Sequence, residues 1–330
     1  MTARRARVLA GIDEAGFGPL LGPLTLGWSA FRVPRGGANL WRRLARAVSA
    51  DPSRDRERVI VADSKRVFSR NPRGVQRLET TALAGLAQVD PFGRWPRTPD
   101  ELWGLAPREL RPRRGELARH PWYRLLPGRL PAHVDEERLL RAATRLRDAL
   151  ERQGIALVEA AVRPVPSGEL NDSYRRTENK ALTHWHVVSR AIERLWQRYA
   201  AEGLELVVDR LGGRRSYGEY VRELFVDARV TPHRETPTRS EYHVQAGERR
   251  MRLVFLERGE EHALAVALAS CLAKYARELA MDAFNRFFGE LQPSLRPTAG
   301  YRTDGWRWLR EARRAVERSG VPPSILVRER

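Results

Sequence analysis

The sequence predicts a mixed α/β fold in which strands and helices alternate along one chain. An apolar strand at residues 7–13 ends in acidic residues and a turn. Further along, an amphipathic helix at 136–153 is followed by a strand at 156–162, a long helix at 178–201 and a second strand at 204–209. Because such strand–helix–strand units build sheets with helices on their faces, we expect one mixed central sheet flanked by helices.

The N-terminal part of the chain supplies the first elements of this sheet. The strand at 7–13 stops where two glycines and a proline force a turn. Residues 24–33 are predicted to form a second strand, and residues 39–48 a short helix with Leu40, Leu44 and Val48 on one face. Acidic side chains are therefore expected at the end of a buried strand.

The stretch at 71–131 has a different composition, rich in Pro, Arg, Gly and Trp. We interpret it as a large insertion within a single domain of residues 1–330. Its tryptophans are predicted to form either the small core of the insertion or a platform that stacks on nucleic-acid bases. They are Trp95, Trp103 and Trp122.

The C-terminal part adds strands and helices. The basic stretch at 222–256 alternates irregularly and is predicted to hold two or three short strands. Residues 262–288 predict a long helix with a leucine stripe, and residues 303–319 another helix, which Gly320 ends.

The charge balance points to a polyanionic partner. The 330 residues include 60 Lys or Arg and 41 Asp or Glu, giving a formal net charge of +19. Cationic side chains that neutralise phosphates release condensed counterions, which favours nucleic acid as the partner. A proteome biased towards arginine would produce the same balance. Only Lys65, Lys180 and Lys274 are lysines, so these positions are candidates for a compact ammonium.

Cysteine usage and hydropathy indicate a cytoplasmic protein. Cys271 is alone, which excludes an intramolecular disulfide and a cysteine zinc site within this sequence. The N-terminal residues lack the apolar core of a signal peptide, and no apolar run approaches the roughly 20 residues of a membrane span. We therefore expect no membrane partner.

Acidic residues occur at three separated places that a folded sheet could bring together. Asp13 and Glu14 end the first strand, Asp209 ends another, and Glu260 precedes the long helix. Phosphodiester hydrolysis benefits from two divalent ions about 3.5–4 Å apart, and carboxylates are the ligands that magnesium prefers. Taken singly, these residues fit a turn, a strand end and a helix N-terminus equally well.

Several short motifs resemble those of the type 2 ribonucleases H, the ribonuclease HII and HIII family. Residues 11–23, Gly-Ile-Asp-Glu-Ala-Gly-Phe-Gly-Pro-Leu-Leu-Gly-Pro, resemble the opening motif of that family. Residues 63–65 (Asp-Ser-Lys), 207–209 (Val-Val-Asp), 267–274 (Ala-Leu-Ala-Ser-Cys-Leu-Ala-Lys) and 300–303 (Gly-Tyr-Arg-Thr) resemble later motifs in family order. The resemblance implies a ribonuclease H-like fold with C-terminal helices, and it leaves 71–131 and 222–256 unmatched.

The resemblance also implies the catalytic and metal-binding set. In the family the fourth acid lies ten residues before the helix serine, which places it at Glu260 relative to Ser270. Glu278 competes for this role, but on a continuous helix it would lie roughly 27 Å from Glu260, too far for one site. The implied set of catalytic residues and metal ligands is Asp13, Glu14, Asp209 and Glu260.

A further group of residues is implied to contact nucleic acid. The family usually carries Arg or Lys between the two glycines of the first motif, where this chain has Phe17. Main-chain contacts of this loop survive that change, whereas a side-chain charge does not. The predicted nucleic-acid-binding residues are Gly16, Phe17, Gly18, Lys65, Lys274 and Tyr301.

The resemblance thus implies an endonuclease that hydrolyses the RNA strand of RNA–DNA hybrids. Two Mg²⁺ or Mn²⁺ ions would assist the reaction, leaving a 5′-phosphate product. The expected partner is an RNA–DNA hybrid or a DNA duplex containing ribonucleotides, and its 2′-hydroxyl distinguishes RNA. A hybrid-binding protein that does not cut and a nuclease of the same fold acting on another nucleic-acid structure are the alternatives. Subfamily, preferred metal and oligomeric state stay open.

Overall fold

The structure is a computed structural model that describes residues 7–34, 39–53, 57–112, 114–212, 214 and 216–329. The first residues of the chain, which bear on the expectation of no signal peptide, lie outside these ranges. Within the described ranges the predicted mixed α/β fold is confirmed, with a central sheet flanked by helices.

The strands form one large sheet and one small parallel pair. The large sheet has the order β5-β2-β1-β6-β9-β8-β7, and β3 pairs with β4. The strands are β1 (Arg7–Ala15), β2 (Leu24–Val33), β3 (Val48–Ser49), β4 (Val59–Ile60), β5 (Ala156–Val165), β6 (Leu204–Asp209), β7 (Arg229–Thr236), β8 (Arg239–Ala246) and β9 (Arg249–Leu256).

Strand direction sets where functional side chains can meet. The central strands β1, β6 and β9 run parallel to one another, and the strands outside them are antiparallel to their neighbours. Parallel neighbours end at the same edge of a sheet, so the residues that follow β1, β6 and β9 come together there.

Helices pack on both faces of the sheet. They are α1 (Leu40–Arg43), α2 (Ser64–Val67), α3 (Pro72–Leu86), α4 (Pro99–Gly104), α5 (Arg114–Ala118), α6 (Glu136–Arg152), α7 (Ser167–Thr177), α8 (Lys180–Tyr199), α9 (Gly218–Leu224), α10 (Gly259–His262), α11 (Leu264–Leu291), α12 (Arg302–Glu311), α13 (Arg313–Ser319) and α14 (Pro323–Leu326). Short 3₁₀ turns lie at Arg108–Leu110, Pro121–Leu125 and Ala200–Glu202.

Each face of the sheet has its own core because alternate residues of a strand point to opposite sides. Leu9 of β1 packs with α3, α6 and α11, whereas Ile12 packs with α8 and α9 on the other face. Helix α11 lies directly against β1 and β2. A Cβ at Gly11 would be 2.2 Å from Val266 N, and one at Gly27 would be 2.2 Å from Ala269 O. Only glycine permits this approach.

The predicted strands at 7–13, 24–33, 156–162 and 204–209 are confirmed, and β5 continues to Val165. The stretch 222–256 holds three strands, β7, β8 and β9, which extend the central sheet. The helix predicted at 136–153 is α6.

Several predicted helix boundaries were wrong. The helix predicted at 39–48 ends at Arg43, and Val48 instead pairs with Val59 in a small sheet. The helix predicted from 178 begins at Lys180 because Asn179 caps it, and Glu178 has a left-handed backbone with φ of 48°. A separate helix, α7, precedes it and was not predicted.

The predicted boundaries of the two C-terminal helices also differ from the structure. The helix predicted at 262–288 begins at Leu264, because the extended backbone of Ala263 (φ −134°) separates it from α10. The single helix predicted at 303–319 is two helices that meet at Ala312.

The tryptophans of the stretch 71–131 belong to the main hydrophobic clusters of the protein, which differs from both predicted outcomes. Trp95, Trp103 and Trp122 are at most 6% exposed. Trp122 packs edge-on against Phe284 of α11. Helix α3, at the start of this stretch, packs on α11 and α6 in the main core. The assignment of 71–131 as an insertion stays a prediction.

No helix in the described ranges is long and apolar enough to cross a membrane.

Candidate active site

The four predicted carboxylates meet at the edge of the sheet where β1, β6 and β9 end. Asp13 and Glu14 are near the end of β1, and Asp209 is the last residue of β6. After β9 the chain turns at Arg258, which has φ of 57°, and enters α10 with Glu260 in its first turn. Asp13 interacts electrostatically with Glu14 and Asp209, and Asp209 shares a side-chain hydrogen bond with Glu260.

Burial of these like charges changes their protonation. Burial, together with the charges of Glu14 and Asp209, raises the pKa of Asp13 well above its ordinary value. Burial also raises the pKa of Asp209 to about 7, and the neighbouring charges of Glu14 and Glu260 act in the same direction. Carboxylates that repel one another in a partly dehydrated site favour a proton or a bound cation.

The donor set fits a divalent cation, although the side chains are not arranged around one. Among the residues that the structure describes, no three Asp, Glu, His or Cys side chains are grouped closely enough to hold an ion. Glu260 is 9% exposed, and its Oε2 is buried without a hydrogen-bond partner among those same residues. Oxygen donors of this type suit Mg²⁺ or Mn²⁺.

Backbone and hydroxyl groups fix two of the carboxylates. Gly259 N–H donates to Asp209 Oδ1 at 2.9 Å, which connects α10 to β6. Ser270 of α11 hydrogen-bonds Asp13, and its Oγ lies 3.0 Å from Ser64 Oγ. The Asp-Ser-Lys motif therefore contributes Ser64 to the support of the site.

His184 is a neighbour of the site that sequence reasoning did not select. It is 2% exposed on α8, and its Nε2 lies 3.6 Å from Glu14 Oε1. Its ring stacks on Phe17 with centroids 4.1 Å apart. Its position one helical turn after Lys180, one of the three lysine positions, was the available signal.

The chain is similar to several solved structures at low identity. No protein-family model matches the sequence, and no curated protein matches it. Solved structures do match, at low identity. The ribonuclease HII of Archaeoglobus fulgidus, solved in complex with PCNA, is 15% identical with a TM-score of 0.43, over 98% of this chain and 94% of that chain.

Two further matches are similar in extent. The ribonuclease H2 of Pyrococcus horikoshii OT3 is 13% identical with a TM-score of 0.40, over 97% of this chain and 92% of that chain. Bst-RNase HIII, solved in complex with Mn²⁺, is 14% identical with a TM-score of 0.41, over 98% and 67%.

The loop that resembles the ribonuclease H glycine motif has a different side chain at its centre. Gly16 has φ of 88°, and a Cβ there would be 2.3 Å from Arg277 Nε, so glycine is required. A Cβ added at Gly18 would have no neighbouring atom within 4 Å. Phe17 lies between these glycines, and Lys180 Nζ is 4.6 Å from its ring centroid. A cation is therefore next to Phe17, supplied by α8.

The other predicted nucleic-acid-binding residues have varied surroundings. Tyr301 is 50% exposed, and the Arg277 guanidinium lies 5.7 Å from its ring, so Gly16 and Tyr301 share Arg277 as a neighbour. Lys65 is exposed on α2. Lys274 Nζ is 2.6 Å from Glu278 Oε1 and 4.5 Å from the Phe68 ring centroid.

Glu278, the competing fourth acid, forms an ion pair with Lys274, whereas Glu260 lies beside Asp209. This arrangement favours Glu260 as the fourth member of the carboxylate cluster.

Proposed function

We propose that the protein is a metal-dependent endonuclease that hydrolyses the RNA strand of RNA–DNA hybrids. The observation that carries the proposal is the convergence of Asp13, Glu14, Asp209 and Glu260 at the shared end of three parallel strands. The motifs around these residues specify the reaction, since they resemble those of type 2 ribonucleases H. The net charge of +19 suits a nucleic-acid substrate.

Two Mg²⁺ or Mn²⁺ ions would be held by the four carboxylates. When bound, such ions activate a water molecule and stabilise the charge of the departing oxygen. The chain itself keeps the ligands in place: Gly259 N–H fixes Asp209, Ser270 fixes Asp13, and His184 faces Glu14. Groups that contact metal ligands in this way orient the ligands and tune metal affinity.

Substrate contact is assigned to the loop and side chains around the carboxylates. The main chain at Gly16 and Gly18 would approach the sugar–phosphate backbone, with Phe17 and Tyr301 beside it. Lys65 and Lys274 are the proposed cationic contacts. Recognition of RNA would rest on its 2′-hydroxyl, and the product would carry a 5′-phosphate.

The deciding experiment offers the purified protein three labelled duplexes with Mg²⁺ or Mn²⁺. They are an RNA–DNA hybrid, a DNA duplex with one ribonucleotide, and plain DNA. We expect cleavage of the ribonucleotide-containing duplexes alone and its loss in Asp13→Asn. A 5′-phosphate on the product is checked by its sensitivity to phosphatase.

Other outcomes separate the alternatives. Tight hybrid binding without cleavage under either metal would identify a binding protein that does not cut. Cleavage of plain DNA at a rate equal to the hybrid would identify a nuclease with another substrate. The expected cytoplasmic location stays a prediction.

A further inference from the structure

A cleft between α3, α6 and the β4 region is unusually rich in arginine. Its volume is about 670 Å³, and fourteen residues line it, of which six are arginine and one is acidic. In the whole chain 60 of 330 residues are Lys or Arg. The concentration of charge therefore exceeds what the general bias towards arginine produces. The six are Arg58, Arg73, Arg77, Arg138, Arg141 and Arg145.

The arginines lie in rows along two packed helices. Arg138, Arg141 and Arg145 are spaced i, i+3 and i+7 on α6, so they share one face. Seven residues of helix correspond to roughly 10 Å along the axis. Arg73 and Arg77 are one turn apart on α3. A row of this length can contact several anionic groups that follow one another along a ligand, and it is longer than a single anion requires.

Carboxylates neutralise only part of this charge, since Arg141 pairs with Glu137 at 3.2 Å. Arg77 Nε donates to Val67 O at 2.6 Å, and Arg77 Nη1 donates to Pro52 O at 3.3 Å, so backbone carbonyls hold this guanidinium. Within the described ranges, the guanidinium groups of Arg73 and Arg138 form no hydrogen bond or ion pair. The acidic lining residue, Glu57, accepts from Arg145 at 3.4 Å.

The rest of the lining indicates what the cleft does not recognise. Besides arginine it presents small polar or aliphatic side chains, such as Thr80, Ile60 and Ala142, and no aromatic ring is among the fourteen residues. Bases are commonly held by stacking on aromatic side chains. The cleft is therefore suited to phosphates and not to bases. None of the four candidate catalytic carboxylates lines it.

We propose that this cleft is a second binding site, separate from the carboxylate cluster, for a chain of closely spaced phosphates. Such a chain is either the backbone of a nucleic-acid strand, bound without regard to sequence, or a free polyphosphate. Guanidinium groups bind phosphate oxygens in pairs, and two rows of them would follow successive phosphates.

The position of the cleft relates it to the candidate active site. Ile60 lines the cleft, and three residues later the chain reaches Asp63, the N-cap of α2. Ser64 of α2 contacts Ser270, the support of Asp13. Lys65 of α2, which follows Ser64 in the chain, is exposed.

The test compares a double variant, Arg73→Gln with Arg138→Gln, with a matched control, Arg310→Gln with Arg314→Gln. All four arginines are exposed, and the control pair lies outside the cleft. Binding of a labelled oligothymidylate is measured by fluorescence anisotropy in EDTA over a range of salt. In EDTA no metal bridges the phosphates to the catalytic acids.

We expect the cleft variant to bind about tenfold more weakly than the control variant. The slope of log K against log salt should fall in magnitude by about 1.4, since each lost contact with a single strand contributes about 0.7. A parallel series measures whether inorganic tripolyphosphate raises the Tm of each protein, because a ligand that binds the folded state stabilises it.

Each outcome decides the proposal. A selective loss of oligothymidylate binding alone identifies a nucleic-acid strand as the ligand. A selective loss of the tripolyphosphate effect alone identifies a free polyphosphate, and loss of both identifies a site for either. Equal behaviour of the cleft and control variants overturns the proposal. The Tm of each variant without ligand shows whether that variant folds. Removal of like-charge repulsion should leave this Tm unchanged or higher.

Discussion

His184 Nε2 lies 3.6 Å from Glu14 Oε1, while the histidine ring is stacked on Phe17. The stacking partner fixes the plane of the ring, so the nitrogen is held facing the carboxylate. Its Nε2 has no hydrogen-bond partner within the described ranges, which leaves Glu14 as its neighbour. Phe17 therefore has a structural role in the site.

A change of His184 should weaken the metal site without unfolding the protein. In His184→Phe the stacking surface is kept and the nitrogen is lost, so we expect Mn²⁺ affinity and hybrid cleavage to fall by about tenfold to a hundredfold. His184→Gln should recover part of both, because its amide can donate to Glu14. Calorimetric titration with Mn²⁺ measures the affinity independently of cleavage.

His186 is the matched control for this experiment. It is exposed on the same helix, two residues away. His186→Phe should leave Mn²⁺ affinity unchanged. An affinity in His184→Phe equal to that of the unchanged protein would exclude a positioning role, whereas failure of the unchanged protein to bind Mn²⁺ would contradict the proposed function itself.

Asp209 should make the metal-free protein less stable as pH rises. Burial raises its pKa to about 7 from an ordinary value of 3.8, so the folded state favours the protonated form. The corresponding stabilisation is complete below about pH 3.8 and is lost as pH rises through 7. Asp209→Asn, which cannot ionise, should therefore gain in Tm relative to the unchanged protein between pH 4 and pH 8.

Thermal unfolding in EDTA across this pH range measures the difference between the two proteins. Mn²⁺ at pH 8 should raise the Tm of the unchanged protein more than that of Asp209→Asn. A Tm difference that does not vary with pH would show that Asp209 titrates normally in the folded state.

His120 should produce the opposite pH dependence at a site far from the carboxylates in sequence. Its Nδ1 pairs with Glu116 O at 2.8 Å, and Gly168 N–H donates to its Nε2 at 3.2 Å, which fixes the neutral form. Burial lowers the pKa of His120 from 6.5 to about 4. The stabilisation that neutral His120 gives the folded state is present above pH 6.5 and is lost as pH falls towards 4.

His120→Gln should cost about 1–3 kcal/mol at pH 7, because the shorter amide cannot pair with both Glu116 O and Gly168 N–H. The cost should shrink as pH falls to 4, which denaturant unfolding at several pH values measures. His133, exposed nearby in the sequence, provides the control. A constant cost for His120→Gln across this range would contradict the depressed pKa.

Gly11→Ala should destabilise the fold, whereas Gly18→Ala should not. A Cβ at Gly11 would meet Val266 N at 2.2 Å and the Ala265 carbonyl carbon at 2.4 Å, both backbone atoms that cannot rotate away. We expect a loss of about 3 kcal/mol or more. Gly18 has open space around it, so its change should stay within about 0.5 kcal/mol. Urea unfolding of the two variants tests the contrast, and equal stabilities would contradict the close packing of α11 on β1.

Local sequence determined the strands and offered the candidate acids of the site. β2 and β6 have the predicted bounds because a run of apolar residues between turns has few alternatives. Asp13, Glu14 and Asp209 were predicted from their places at strand ends, and Glu260 from its distance to Ser270. The parallel order of β1, β6 and β9 then brought these residues to one edge.

Tertiary structure decided the rest. Val48 is in a strand because Val59 pairs with it across an intervening loop, and the local helical pattern does not encode that partner. The break at Ala263 separates Glu260 from α11 and lets it turn to Asp209. His184 became part of the site only when α8 packed beside β1, because proximity to Glu14 depends on contacts between residues far apart in the chain.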